Sequence, residues 1–448
     1  MNQIPDPNAS DVSRCGPGPV VLTANYTGPG TPIYNWWDAP IGGNLLQTGG
    51  SNIYVPTVTA SMTFYVSVSV PGCVESGRVP VNVTVNAAPA TDIWTGNVNT
   101  DWFNGGNWQS GCVPNCGTSV TIPSGAPRYP VISFNLTPAA CNSITIQQGA
   151  SLTFSNPNAE LQVCGNFTHE GLLNTVNGGR VRFIGSGVQT YARTATGAGS
   201  FYQVIIDKGA APPPTRRVEV TGQPMVIQNQ LHFIQGRIHT LPTNQVEVLN
   251  PNPGAIIGYG PDNYVAGRLV RAIANASGNV YAFPVGDQHE SQNPANKGYQ
   301  LAEVSISDAA NVTQLRAFFT PTAQTVPTLS EPACQTNYIC ALNNGFWTIE
   351  VAQGMGNPQY NLTLYSRNFN NNTCIGLPYY SIYKRAGGGW FLQGTCASPS
   401  TATQTRRNNF LGFSDFVVVG SNTPLPYATL TLSAQGQSKG IHLEWKAD

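Results

Sequence analysis

The chain has 448 residues, 21 Lys+Arg balanced by 21 Asp+Glu, and charged residues at only 9%, against about a quarter in ordinary soluble domains. Nucleic-acid binding needs clustered Lys/Arg to displace counterions; no basic run exceeds a pair such as Arg216-Arg217 or Arg406-Arg407, which excludes a DNA or RNA partner. With 17 Phe, 18 Tyr and 8 Trp, the low charge belongs to a folded chain with a neutral polar surface, not to a disordered one.

Forty-seven Gly and 35 Pro leave little room for long helices. What recurs is period-two alternation, as in Tyr65-Val-Ser-Val-Ser-Val70 and Val81-Asn-Val-Thr-Val85, which gives a half-buried strand one apolar face. The fold class is therefore all-β. No 18-residue apolar run occurs, so no membrane span is expected. The opening Met1-Asn-Gln-Ile-Pro-Asp-Pro lacks the basic and apolar regions of a secretory leader. The ten cysteines suit disulfides formed in an oxidising compartment. The expectation is a mature, extracellular or cell-surface chain exported by a leader it does not carry.

In chain order, residues 1–88 are expected to form an immunoglobulin-like sandwich. Cys15 and Cys73 flank Trp36 and Trp37, the order in which a Trp packs on a disulfide joining two sheets. No Tyr sits two residues before Cys73, so a generic sandwich stays open. Residues 91–262 begin with Trp94, Trp102 and Trp108 and continue as short β runs such as Ser143–Ile146, Ser151–Phe154 and Glu160–Val163, separated by Gly or Asn. Short strands, tight polar corners and stackable apolar positions are the needs of a parallel β-helix; a second sandwich is the competing architecture. Residues 263–423 carry longer strands, among them Tyr264–Ile273 and Tyr379–Arg385, and fit an antiparallel β-sandwich. Residues 424–448 supply only a hairpin, expected to be the start of a truncated further β domain whose open edges can mediate self-association.

The motifs Trp94…Asp101-Trp102…Asn107-Trp108…Val113-Pro114, Tyr281-Ala-Phe-Pro-Val-Gly-Asp287 and Pro424-Leu-Pro before Leu430…Leu443-Glu-Trp445 resemble multidomain surface proteins exported by the type IX secretion system of Bacteroidota. The resemblance covers most of the chain beyond residue 90, and the first module is similar to the immunoglobulin-like modules of such proteins. It implies a secreted or surface location. The sorting domain with which family members usually end is not in this sequence.

Candidate chemistry is sparse. Asp287-Gln-His289-Glu290 with Glu303 offers two or more carboxylates and an imidazole, the components of acid–base catalysis, but a solvated polar loop accounts for the same residues. Asn97, Asn99 and Asp101 alternate so that three oxygens can meet on a structural Ca²⁺, or serve as strand-end Asx turns. Among the cysteines, the immunoglobulin order pairs Cys15 with Cys73, a spacing of about one β-helix coil lets Cys141 staple to Cys164, and proximity joins Cys334 to Cys340 and Cys374 to Cys396, with Cys112 and Cys116 completing the disulfide set. A four-thiolate zinc site is not supported by the spacing. No Gly-x-Ser-x-Gly elbow occurs, His169 and His239 are expected to face solvent, and Gly387-Gly-Gly389 is a hairpin turn and no phosphate loop. Most tryptophans are expected in cores; Tyr379, Tyr380 and Trp390 are the candidates for an exposed carbohydrate-stacking set. No catalytic residues are assigned and no cofactor is expected beyond structural calcium. The expected function is a non-enzymatic structural or adhesion protein that meets cell-surface or matrix components and glycans; the alternative is a polysaccharide-binding or polysaccharide-degrading protein.

Overall fold

The computed structural model describes residues 2–212, 215–288, 298–331, 336–367, 369, 373–422, 430–437 and 440–447. Among them there is no α-helix; everything regular is strand, apart from single turns of 3-10 helix. The chain divides at Asn244 and Gln245 into two units.

The first unit opens with an immunoglobulin-like sandwich. One sheet holds five strands in the order Val12–Cys15, Val79–Asn86, Met62–Ser69, Ile33–Trp37, Leu45–Gly49. Alternation drives it: Val81 and Val83 are buried while Asn82 and Thr84 are exposed, so the inward side chains meet Leu22, Ala24, Phe64, Val66 and Trp36 in one core. Trp36 packs on Tyr54, with ring centroids 5.5 Å apart. The expected disulfide beneath it does not form. Cys15 ends an edge strand and bonds Cys112, whereas Cys73 is a free thiol on a short strand paired with Asn2–Gln3.

From Thr91 the chain winds as a parallel β-helix. Each early coil lays down three strands, for example Ile144–Ile146, Ser151–Phe154 and Glu160–Val163, and the next coil repeats them in parallel register. Val120, Ile144, Phe167 and Tyr191 stand in one column, 24, 23 and 24 residues apart. All four are buried, so side chains from successive coils make a continuous core. A coil of 23 residues also brings Cys141 beside Cys164, yet they do not bond. Cys141 is in register with Val163 and points inward, fully buried; Cys164, one residue on, points outward and bonds Cys116.

The second unit starts with parallel pairing, Val246–Val248 beside Leu269–Ala272 and Val265–Ala266 beside Val280–Gly286. It then becomes antiparallel, through Val280–Gly286, Tyr299–Asp308, Gln359–Tyr365 and Thr405–Leu411 on one sheet and Val312–Thr320, Phe346–Gly354 and Ser414–Ser421 on another. The single strand expected over Tyr264–Ile273 is two strands, because Gly267 between them adopts φ +136°. Cys340 bonds Cys374, which overturns both expected local pairs; Cys396 is also disulfide-bonded, and Cys334 lies outside the described residues. The reason is that the strand Cys340–Ala341 pairs with Ser414–Ser421, away from its sequence neighbours. Residues Leu430–Gln437 and Gly440–Ala447 form an antiparallel hairpin.

Candidate functional site

A cleft of about 990 Å³ lies in the first unit between the sandwich and the opening coil of the β-helix. Such a volume is at the upper end of ligand pockets. One wall is the edge strand Val12–Cys15 with the turn that follows it; the other is residues 110–116 and 135–140. Three local devices hold the walls. The Cys15–Cys112 disulfide closes one end. Asn115 donates from Nδ2 to Cys15 O at 2.6 Å and accepts at Oδ1 from Gly117 N at 2.8 Å. Gly16 makes this approach possible, since its φ is +69° and a Cβ there would stand 2.7 Å from Asn115 Nδ2. Arg14 folds back on the turn, donating from Nε to Gly16 O at 2.7 Å and from its guanidinium to Pro17 O and Pro19 O. It is the one charged side chain among the lining residues.

The register fixes which backbone groups face the cleft. Gly16 N donates to Asn86 O at 2.8 Å, so in the parallel ladder the N–H and C=O of Arg14 point to Val79–Asn86, while those of Ser13 and Cys15 point outward. On the facing wall, Cys164 N donates to Cys141 O at 3.0 Å, so the strand Ala139–Cys141 turns Cys141 toward Glu160–Val163 and Ala140 the other way. Both strands are the terminal members of their sheets.

The other two first-coil edges are covered by the tryptophan-rich segment. Trp94 and Trp108 bridge, and Gln109 N donates to Ile93 O, which closes the edge of Thr91–Ile93; Val131 N donates to Thr100 O, which closes that of Val131–Ile132. The three rings pack edge to face, Trp94 on Trp108 at 5.1 Å and Trp102 on Trp108 at 4.8 Å. At the hub, buried Asn107 accepts from Val98 N and Asn99 N and donates to Asn99 Oδ1 at 2.6 Å. Asn99 Oδ1 also accepts from Asp101 N at 2.9 Å, and Asp101 Oδ1 from Phe103 N at 3.0 Å. Of the calcium-ligand candidates, Asn99 and Asp101 thus each use Oδ1 in an Asx turn, and Asn97 is exposed beside them.

The remaining sequence candidates separate. His289 and Glu290 lie outside the described residues. Asp287 accepts from Tyr264 OH through its backbone oxygen, at 3.0 Å. Glu303 sits on a different network, accepting from Tyr365 OH at 2.9 Å, with Gln404 Nε2 donating to the same hydroxyl at 3.0 Å. The carbohydrate-stacking set fails as a platform. Tyr379 is 38% exposed, but Tyr380 next to it points to the opposite face and is buried, donating to Cys374 O at 2.8 Å. Trp390 is buried too, under the Arg385 guanidinium. His169 and His239, expected at the surface, are buried. Gly387 and Gly388 do form the hairpin turn, with φ of +58° and +86°. Sequence reading missed the cleft because its polar groups are main-chain atoms of Ser13, Cys15 and Ala140, and no side-chain pattern marks an unpaired edge.

A family model described as a CHU_C-associated Ig-like domain matches residues 4–87, and one described as a domain of unknown function (DUF8693) matches residues 93–195. No curated protein and no solved structure matches the chain. The first match agrees with the sandwich seen here; the second falls on the tryptophan-rich segment and the early coils. No helix of the described residues is long and apolar enough to cross a membrane.

Proposed function

We propose that this chain is a secreted or cell-surface protein that works by adhesion or matrix assembly and not by catalysis, exported by a type IX route. The observation that carries the reading is the covalent fastening of an immunoglobulin-like sandwich to a β-helix by Cys15–Cys112, a stapled, sparsely charged array suited to an oxidising exterior. The immunoglobulin-like module is of a kind typical of type IX-exported proteins. Immunolabelling of intact cells and culture medium of the producing organism tests the location; signal confined to the cell interior overturns it.

A second reading, polysaccharide binding or cleavage, is favoured by Glu303. Its row on the sheet is Ala282, Glu303, Thr363 and Arg406, and the next row holds Leu301 and Tyr365, so a carboxylate, hydroxyls and an aromatic ring share one face. A panel of neutral polysaccharides assayed for binding and reducing-end release distinguishes the two. Release that is lost in Glu303→Gln replaces the first reading with the second.

A further inference from the structure

We infer that the cleft between the sandwich and the first coil is a strand-addition site that takes an extended, uncharged polypeptide segment, pairing it with the open edge of Val12–Cys15. This names the partner class for the adhesion reading and rests on it. The chain covers its other first-coil edges: the segment from Trp94 to Trp108 occupies those of Thr91–Ile93 and Val131–Ile132. An uncovered edge is ordinarily blunted by charge, proline, a bulge or a covering loop. Here two uncovered edges, Val12–Cys15 and Ala139–Cys141, line one cleft, and no strand among the described residues lies on the outer side of either.

The recognition chemistry is main-chain. Ser13 presents an N–H and a C=O, Cys15 an N–H whose own carbonyl is already held by Asn115, and Ala140 an N–H and a C=O from the opposite wall. An extended segment offers donors and acceptors at alternate residues on each side, the complement of these edges. The side chains around them, such as Val20, Val21, Val113, Leu136 and Pro138, are apolar or small. With the guanidinium of Arg14 engaged by three carbonyls of its own turn, nothing in the lining calls for a charged partner.

The test uses the full chain and two acetylated, amidated heptapeptides of sequence Thr-Val-Thr-Val-Thr-Val-Thr, one plain and one N-methylated at every residue so that neither edge can donate. The plain peptide is expected to bind saturably and the methylated one at least tenfold more weakly, since it has lost its backbone donors. Amide exchange at Ser13, Cys15 and Ala140 should slow with the plain peptide while Arg14, already bonded in the sheet, is unchanged. Ser13→Pro, which removes an outward donor and no ladder bond, should weaken binding at an unchanged melting temperature. Equal binding of both peptides, no binding, or protection that appears elsewhere overturns the proposal. An intracellular location would end the surface reading without touching these measurements.

Discussion

At the scale of single residues, buried polar groups do the most specific work. His169 is fully buried between Tyr191 and Ala198: Nε2 lies 2.8 Å from a carbonyl that can only accept, so Nε2 carries the proton, and Nδ1 accepts from Tyr191 OH at 2.9 Å. Burial pushes its pKa down to about 4 from an ordinary 6.5, and the neighbouring Arg193 adds to the shift. The unfolded chain therefore takes up this proton first. Stability is complete above pH 6.5, falls as the pH drops toward 4 and levels off below, a loss on the order of 3 kcal/mol. Urea unfolding between pH 7 and 4 should show the slope; buried His239, its pKa pushed down to about 3, contributes over the same range, so His169→Gln should reduce the slope and leave the part that His239 carries. In the second unit, Arg407 is 1% exposed and makes a two-pronged pair with Glu331 at 2.7 and 2.8 Å. Glu331→Ala leaves that guanidinium uncompensated and should cost about 3–5 kcal/mol by chemical denaturation. The Asx turns at Asn99 and Asp101 lead to a third expectation, that millimolar Ca²⁺ gives neither heat in calorimetry nor a gain in melting temperature.

At the scale of elements, the capping segment holds the open end of the β-helix through one ring. Trp108 is 2% exposed, touches both other tryptophans and donates from Nε1 to Trp102 O at 2.9 Å. Trp108→Ala should destabilise the first unit by about 3–5 kcal/mol and speed amide exchange at Thr91–Ile93 before the later coils. Much of this level was legible in the sequence. Runs such as Ser151–Phe154 and Glu160–Val163 alternate cleanly and end in Gly or Asn corners, because each coil needs an inward face and a tight turn. Thr405–Leu411 was not legible, since its Arg406, Arg407, Asn408 and Asn409 show no apolar alternation; Arg407 is inside only because Glu331, 76 residues away, neutralises it. Disulfide pairing failed for a related reason. Proximity along the chain does not report which way a side chain points, and Cys141 and Cys164 point to opposite faces of neighbouring strands.

At the scale of the whole molecule, the first unit is closed on itself by bonds that span long stretches of chain. Cys15 and Cys112 are 97 residues apart and Cys116 and Cys164 are 48 apart. Loops of that size lose much of their freedom in the unfolded state, so Cys15→Ser with Cys112→Ser should lower unfolding stability by about 2–5 kcal/mol, read from thermal or denaturant melts. The same pair of bonds sets a load path. Tension applied through the amino terminus passes from Cys15 directly to Cys112, along four residues to Cys116, and across to Cys164. The chain between Cys15 and Cys164 hangs from this line without being stretched. Pulled under oxidising conditions, the molecule lengthens only through residues 1–14, which precede Cys15, and beyond Cys164. With both bonds reduced, it should release on the order of 480 Å of additional contour, at about 3.4 Å per residue. Such a path keeps the stretch from Cys15 to Cys164 folded under force for as long as both bonds hold.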